Sequence, residues 1–388
     1  MDILPSQKTI WLHGPSVGEL DQVRAFASVV KQKDPSLQVY VSYYSDSVLD
    51  KHLQDPNFDF CFRLPFDLPN AYELILKKWR PLFLCIFAWD TWPNLVKSCH
   101  ESSIDVYLAS ATLSESSSRL KGLSLLLTKK TFSYFTAIYP TNEILTPLFS
   151  NIAPRGTEIQ ALGDTRIDTI LAKLEKGKPG KSFSQVIQQF SDSFRNKNLV
   201  CFGSTYPSCE EKILSSLSQI PEEEIQNKSF WVFPHKWEEI RMSEFSAKLQ
   251  RYGLVKRFSE LKTLVSGKLP QFVLVDEMGI LAFAYQYARF AYVGGGFHHR
   301  IHNTLEPAAF GLALFTGPKI TNASEAIIMQ RLGGLKVVHS NLEFTDTLRN
   351  FLNSDERSTS LGQKNKQFVL DNRGASERLY AKVFSAHD

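Results

Sequence analysis

The chain has 388 residues, 43% of them hydrophobic, and a formal net charge of +4 at neutral pH. That length exceeds one ordinary domain and points to two, each with enough apolar residues for its own core. The mild positive charge suits an anionic substrate or a negatively charged membrane surface and does not point to a dedicated nucleic-acid binder.

In the first half, short apolar runs alternate with helical patterns. Strands are expected at 9–13, 38–43, 58–64, 82–87, 105–109, 137–139 and 159–162. Helices are expected between them at 17–32, where Val23, Phe26, Val29 and Val30 share a face, and at 71–78. Strands alternating with helices predict a parallel, doubly wound sheet. Residues 172–184 are rich in Lys, Gly and Pro and read as an interdomain linker. The alternation then restarts, with strands at 199–202, 230–233, 272–275, 290–293, 312–315 and 335–338, and helices at 209–217 and 303–310. The expected organisation is therefore an N-terminal Rossmann-like domain at 1–171, a linker at 172–184 and a C-terminal Rossmann-like domain at 185–388. The last helix is expected to pack back on the first domain. Two such sheets imply a cleft between them.

The five cysteines, Cys61, Cys85, Cys99, Cys201 and Cys209, are scattered and form no CxxC pair. This pattern indicates neither a zinc ribbon nor a disulfide framework and fits a reducing compartment. No apolar run approaches the roughly 20 residues needed to span a bilayer, and the first residues show no signal-peptide core. Work at a membrane is expected to proceed by docking.

Several segments carry chemistry. In Gly14-Pro15-Ser16-Val17-Gly18-Glu19 a strand runs into a turn with a carboxylate at the start of a helix, a placement that lines the carboxyl edge of an α/β sheet. Glu19 is a candidate general base; a carboxylate serving the helix macrodipole is the alternative. Gly203-Ser204-Thr205 reads as a small-residue turn that presents backbone N–H groups to an anion, or as a plain N-cap turn. Pro234-His235-Lys236 brings two cationic side chains to a strand end, with a solvated loop as the alternative. The densest segment is Gly294-Gly295-Gly296-Phe297-His298-His299-Arg300-Ile301-His302-Asn303-Thr304-Leu305-Glu306. Its glycines allow a close ligand approach, and His302 and Asn303 are expected to open a helix with Glu306 one turn on. A nucleotide-sugar site uses such a set: amides for phosphate and a carboxylate for a ribose diol. The histidines do not complete a metal-ligand spacing, and the glycines do not match G-x-G-x-x-G. Asp276-Glu277-Met278-Gly279 and Gly317-Pro318 are further loops at strand ends.

Taken in order, Ser16-Val17-Gly18-Glu19, Pro65-Phe66-Asp67-Leu68-Pro69, Trp92-Pro93-Asn94-Leu95, Gly203-Ser204-Thr205, Met278-Gly279, Gly294-Gly295, His302-Asn303, Leu305-Glu306-Pro307-Ala308-Ala309 and Gly317-Pro318 resemble the 3-deoxy-D-manno-octulosonic acid (Kdo) transferases of lipopolysaccharide synthesis. The resemblance covers nearly the whole chain. It implies a GT-B fold, two Rossmann-like domains facing a central cleft. It further implies inverting transfer of Kdo from CMP-Kdo to a lipid A precursor, with no metal and no cofactor. By the same resemblance Glu19 is the general base, assisted by Asp90 and by Arg166, which stands where many members carry lysine and keeps its charge with a different hydrogen-bond geometry. Gly203, Ser204, Thr205, His235, Lys236, Met278, Gly279, Gly295, His302, Asn303 and Glu306 fall on the donor side, and Ser16, Gly18 and Trp92 on the acceptor side.

The implied location is cytoplasmic, peripheral on the inner face of the bacterial inner membrane. The family's usual hydrophobic anchor has no counterpart here, and the mixed basic and apolar segment 119–135 is a candidate lipid-contacting surface, or a core-facing helix with solvated lysines. The sequence departs from the family at Ala88-Trp89-Asp90-Thr91-Trp92-Pro93, which stands for Glu-Thr-Glu-Leu-Trp-Pro. It departs again at Ser110-Ala111-Thr112-Leu113-Ser114, which stands for Asn-Ala-Arg-Leu-Ser, and at Arg300-Ile301, which replaces Gly-Gly. These changes leave two alternatives: a non-catalytic relative that binds a nucleotide sugar or lipid, and an epimerase or hydrolase on the same architecture.

Overall fold

Short apolar runs joined by helices build two parallel sheets. The structure, a computed structural model, describes residues 8–177, 179–195, 198–264 and 268–387. One unit comprises Met1–Lys173 with Asn372–Asp388, and the other Leu174–Asp371. The first contains strands β1 (Thr9–His13), β2 (Gln38–Tyr43), β3 (Phe60–Arg63), β4 (Phe83–Phe87), β5 (Asp105–Ala111), β6 (Ala137–Pro140) and β7 (Glu158–Ile159). They lie in the order β3-β2-β1-β4-β5-β6-β7, with every neighbouring pair parallel.

Parallel strands are covered on both faces, and the pleat sends alternate side chains to opposite sides. In β1, Ile10 and Leu12 join Leu20, Val23, Phe26 and Val30 of helix Val17–Lys33 and Leu379 and Val383 of helix Ala375–Phe384. Trp11 points the other way, to a cluster with Leu76, Leu95 and Val96. Helix Val17–Lys33 lies close against the end of β1: a Cβ on Gly14 would meet Val23 Cγ2 at 2.8 Å.

The second unit contains β8 (Leu199–Thr205), β9 (Ser229–Pro234), β10 (Val255–Arg257), β11 (Phe272–Leu274), β12 (Ala288–Val293), β13 (Ala313–Thr316) and β14 (Leu335–Val337). Their order is β10-β11-β9-β8-β12-β13-β14, again with parallel neighbours. In each sheet the chain's direction of winding reverses once, at β1/β4 and at β8/β12. Ligands of open α/β sheets bind at such a reversal, beyond the carboxyl ends of the strands.

The structure corrects several expectations. The boundary between the units, Lys173/Leu174, falls inside the expected linker at 172–184, but the segment is partly helical: 172–176 continue helix Arg166–Lys176 and 181–184 begin helix Lys181–Gln189. The Lys, Gly and Pro content obscured Phe183 and Val186, an i, i+3 pair that is buried and seats the second helix. Gly203, Ser204 and Thr205 are not a turn after the strand but the last residues of β8. Pairing with β9 breaks between Phe202 and Thr205, where Ser204 adopts a left-handed φ of 53°. The helix expected at 303–310 spans only Leu305–Ala309, so Asn303 lies before it. The second unit ends at Asp371, and helix Ala375–Phe384 belongs with the first.

Candidate functional site

At the reversal of the first sheet, the loops after β1 and β4 carry the acidic residues. Ser16 is the residue before helix Val17–Lys33, Gly18 is exposed on its first turn, and half-buried Glu19 accepts a hydrogen bond from Ser16 Oγ. Asp90 sits in the loop after β4. Burial raises its carboxyl above the usual range, Arg119 opposes that rise, and the charge of Glu19 adds to it. The two carboxylates therefore share one electrostatic environment. Arg119 Nη2 stands 3.8 Å from Asp90 Oδ1, donates through Nη1 to the Trp89 carbonyl at 2.7 Å, and lies over the Trp89 ring at 4.3 Å.

The backbone here is strained. Ala88, Trp92 and Ser110 have φ of 69°, 43° and 46°, a left-handed region that costs non-glycine residues about 1–2 kcal/mol each. Hydrogen bonds hold it in place: Ala88 N donates to Ala109 O at 3.0 Å and accepts through its carbonyl from Thr112 N at 3.2 Å. Trp92 opens helix Pro93–Glu101. Its ring packs against His13 (centroids 5.3 Å) and Tyr44 (4.7 Å). Asp67 caps that helix from a distant loop, accepting from Asn94 N and Leu95 N, both at 3.0 Å.

Arg166 begins helix Arg166–Lys176 and is held by Asp164: Nε and Nη2 donate to Oδ2 at 2.9 and 2.5 Å. Burial alone would raise the Asp164 carboxyl, but Arg166 and Gln22 outweigh it and hold it below the usual range. Gln22 Nε2 donates to Asp164 Oδ1 at 3.0 Å. Gln22 lies one turn beyond Glu19 on the same helix, so both side chains share a face.

In the second unit the loops after β8, β9 and β12 converge on Tyr206. Its ring packs against His235 (centroids 4.9 Å), His298 (4.4 Å) and His302 (5.7 Å), and its hydroxyl lies 3.2 Å from His302 Nε2. Burial, with His235 and Arg300 nearby, lowers His302 to about 4. Burial also lowers His235, aided by Lys236 and His298. The loop after β12 turns back on itself: His302 N donates to Gly294 O at 3.1 Å and His298 N to Gly295 O at 2.9 Å. A Cβ on Gly294 would meet Ser204 O at 2.1 Å, and Gly295 has φ +90°. Asn303 Oδ1 accepts from Leu305 N at 2.9 Å, and Glu306 follows in the five-residue helix. That helix is too short for a sizeable dipole, so its N-terminus adds little field toward a phosphate.

Thr205 Oγ1 donates to Glu210 Oε1 at 3.2 Å, and Arg241 Nη1 donates to the same oxygen at 2.7 Å. Arg241 also donates to the Lys236 carbonyl. One buried ion pair thus ties the loop carrying Ser204 and Thr205 to the loop carrying His235 and Lys236. Met278 and Gly279 are both exposed in the loop after β11, apart from these hydrogen bonds.

Sequence reasoning missed Tyr206, Glu210, Arg241 and Arg119. The signal for Tyr206 was its place directly after Gly203-Ser204-Thr205; the others had none beyond charge. Among the described residues, no group of three or more His, Cys, Asp and Glu has a metal-binding arrangement, and no helix is long and apolar enough to cross a membrane.

Two parallel sheets, each with polar loops at its reversal point, define a GT-B type protein. The UDP-GlcNAc 2-epimerase from Neisseria meningitidis, solved bound to UDP-GlcNAc, shares this fold with a TM-score of 0.70 at 15% identity, over 97% of this chain and 100% of that one. A family model for 3-deoxy-D-manno-octulosonic-acid transferase (kdotransferase) matches residues 2–169. The 3-deoxy-D-manno-octulosonic acid transferase of Haemophilus influenzae is 21% identical over 379 residues, 97% of this chain and 86% of its own. That of Chlamydia trachomatis serovar A is 23% identical over 381 residues, 96% of this chain and 84% of its own. The chain is thus similar to Kdo transferases over nearly its whole length, and these matches support a glycosyltransferase.

Proposed function

We propose that the protein transfers Kdo, or a closely related sugar, from its CMP-linked donor to a lipid A precursor with inversion, using Glu19 as general base. The observation that carries this reading is the Glu19–Asp90 carboxylate pair at the reversal of the first sheet, inside the segment that the family model matches. Glu19 takes the proton of an acceptor hydroxyl as that oxygen attacks the anomeric carbon. The bond from this carbon to the CMP phosphate oxygen breaks, and CMP leaves with the electron pair. Burial and the charge of Glu19 both raise the Asp90 carboxyl, so a second full negative charge beside Glu19 is disfavoured. Arg166, already paired to Asp164, contributes positive potential.

In the second unit His235 and Lys236 offset charge on the departing phosphate. Gly203, Ser204, Thr205, Gly295, His302, Asn303 and Glu306 shape the donor site, with Met278 and Gly279 at its exposed margin. Ser16, Gly18 and Trp92 shape the acceptor side.

Leu123 and Leu74, each 81% exposed, Phe66 at 73%, and Leu126 and Leu127 form apolar surface on the first unit. Lys129 and Lys130 lie on the same helix as the three later leucines. This mix supports peripheral docking on anionic lipid at the inner face of the inner membrane.

The test is incubation with CMP-Kdo and a lipid A precursor. Acceptor-dependent CMP release in the native protein, lost in Glu19→Gln while CMP still binds, supports the reading. Acceptor-independent turnover, or full activity in Glu19→Gln, refutes it.

A further inference from the structure

Three imidazoles around one phenol are more than a donor pocket needs for charge alone, and their arrangement carries a specific consequence. Tyr206 has an extended backbone as the residue before helix Pro207–Leu217, so its side chain is placed by β8 and the helix together. Its hydroxyl lies 3.2 Å from Nε2 of His302. The opposite edge of that imidazole, Nδ1, has no hydrogen-bond partner among the described residues. A neutral imidazole carries one proton, and the nitrogen that bears it is set by the partner of the other nitrogen.

We infer that Tyr206 is a positioning residue: by donating its O–H to Nε2 it places the single proton of His302 on Nδ1. His302 thereby becomes a neutral hydrogen-bond donor toward an anionic oxygen of the sugar nucleotide. This inference rests on the donor-site reading above and adds the residue that sets its polarity.

Two observations support the direction of the bond. Burial raises the Tyr206 phenol, so it keeps its proton and can donate. Burial, His235 and Arg300 hold His302 down to about 4, so it is neutral near pH 7 and the tautomer matters. The ring is also fixed in place: a Cβ on Gly295 would lie 3.1 Å from His302 Cδ2, and His235 packs on it with centroids 4.6 Å apart. The titratable and charged groups around His302 are Tyr206 before the helix, His235 and Lys236 after β9, and His298 and Arg300 on its own loop. None of them is a carboxylate, and Tyr206 is the hydrogen-bond partner of Nε2 among the described residues.

Tyr206→Phe keeps the ring stack and removes only the hydroxyl. The experiment pairs two measurements on native protein, Tyr206→Phe and Tyr206→His. The first is long-range proton–nitrogen NMR of labelled imidazoles, with His302→Gln assigning the signal. The second is calorimetric binding of CMP from about pH 4, where His302 begins to protonate, to about pH 8. The native protein is expected to show the Nδ1–H form of His302. Tyr206→Phe is expected to shift it toward Nε2–H and to weaken CMP about five- to tenfold at neutral pH, the worth of one hydrogen bond. The deficit should shrink as pH falls, because an imidazolium donates from both nitrogens. Tyr206→His, whose shorter ring falls short of Nε2, should stay as weak as Tyr206→Phe.

A native Nε2–H tautomer overturns the inference whatever binds. So does a Tyr206→Phe deficit that is independent of pH and matched by lost thermal stability. If the native tautomer is Nδ1–H but CMP does not bind, the donor-site reading fails and the ligand half of the inference falls with it.

Discussion

His13 offers the sharpest test of the first unit's interior. It ends β1, it is fully buried, and burial drives its imidazole from 6.5 to about 3 despite a favourable hydrogen bond to Ser42. Nδ1 lies 2.8 Å from Ser42 Oγ, which also accepts from Trp11 Nε1 at 2.8 Å, while Nε2 has no partner among the described residues.

The folded protein therefore keeps His13 neutral over a range in which the unfolded chain protonates it. The unfolded state binds the extra proton below 6.5, so stability falls as pH drops from there toward about 3. Each pH unit is worth about 1.4 kcal/mol, which makes the loss about 2 kcal/mol at about pH 5. For a unit of this size that is about 4–8 °C in melting temperature. Carboxylates also titrate in this range, so the assay is a double difference. Native protein and His13→Asn, which cannot protonate, are melted by scanning calorimetry near neutral pH and near pH 5, following the first unit's transition. The variant is expected to be less stable at neutral pH because a buried contact is altered, and to close most of that gap at acid pH. An unchanged gap would refute the reasoning, since it would mean that His13 titrates alike in both states.

Three further outcomes are expected. Arg241→Met strands the buried carboxylate of Glu210, whose side chain is 6% exposed. It should cost the second unit about 3–5 kcal/mol by thermal melting, less at acid pH because burial already raises Glu210, and it should weaken CMP binding; an unchanged melt would remove the clamp between the two loops. Asp90→Asn should gain stability relative to native protein as pH rises. The folded Asp90 carboxyl is raised by burial, so its contribution is complete below the unfolded value and lost as pH climbs through the folded one; a pH-independent difference, read by the same calorimetry, would contradict this. Replacing Lys129 and Lys130 with glutamine should reduce co-sedimentation with anionic liposomes at low salt and leave neutral liposomes unaffected, and no change with anionic liposomes would remove this helix from membrane docking.

Much of the architecture was legible in local pattern. β1 and β2 fall on the expected residues because a two-sided buried strand is a continuous apolar run bounded by polar turns. β10 was not legible: Val255-Lys256-Arg257 has one apolar residue, and it forms an edge strand where charge is tolerated. Glycine, serine and threonine are turn residues and predict an end to β8 at Phe202, yet the sheet carries them on to Thr205. Helix Lys181–Gln189 was hidden by its lysine-rich approach.

Local pattern is enough for two parallel sheets, for polar loops at their strand ends, and for Glu19 at the start of a helix beside one of them. Those features rest on spacing within a few residues. Which distant side chains meet is visible in the folded chain alone: Arg119 with Asp90, Asp67 with the helix at Asn94, Arg241 with Glu210, and Tyr206 with His235, His298 and His302. The physical reason is that strand order sets these meetings. β1 lies beside β4 and β8 beside β12, so loops far apart in the chain become neighbours, and no local periodicity records that choice.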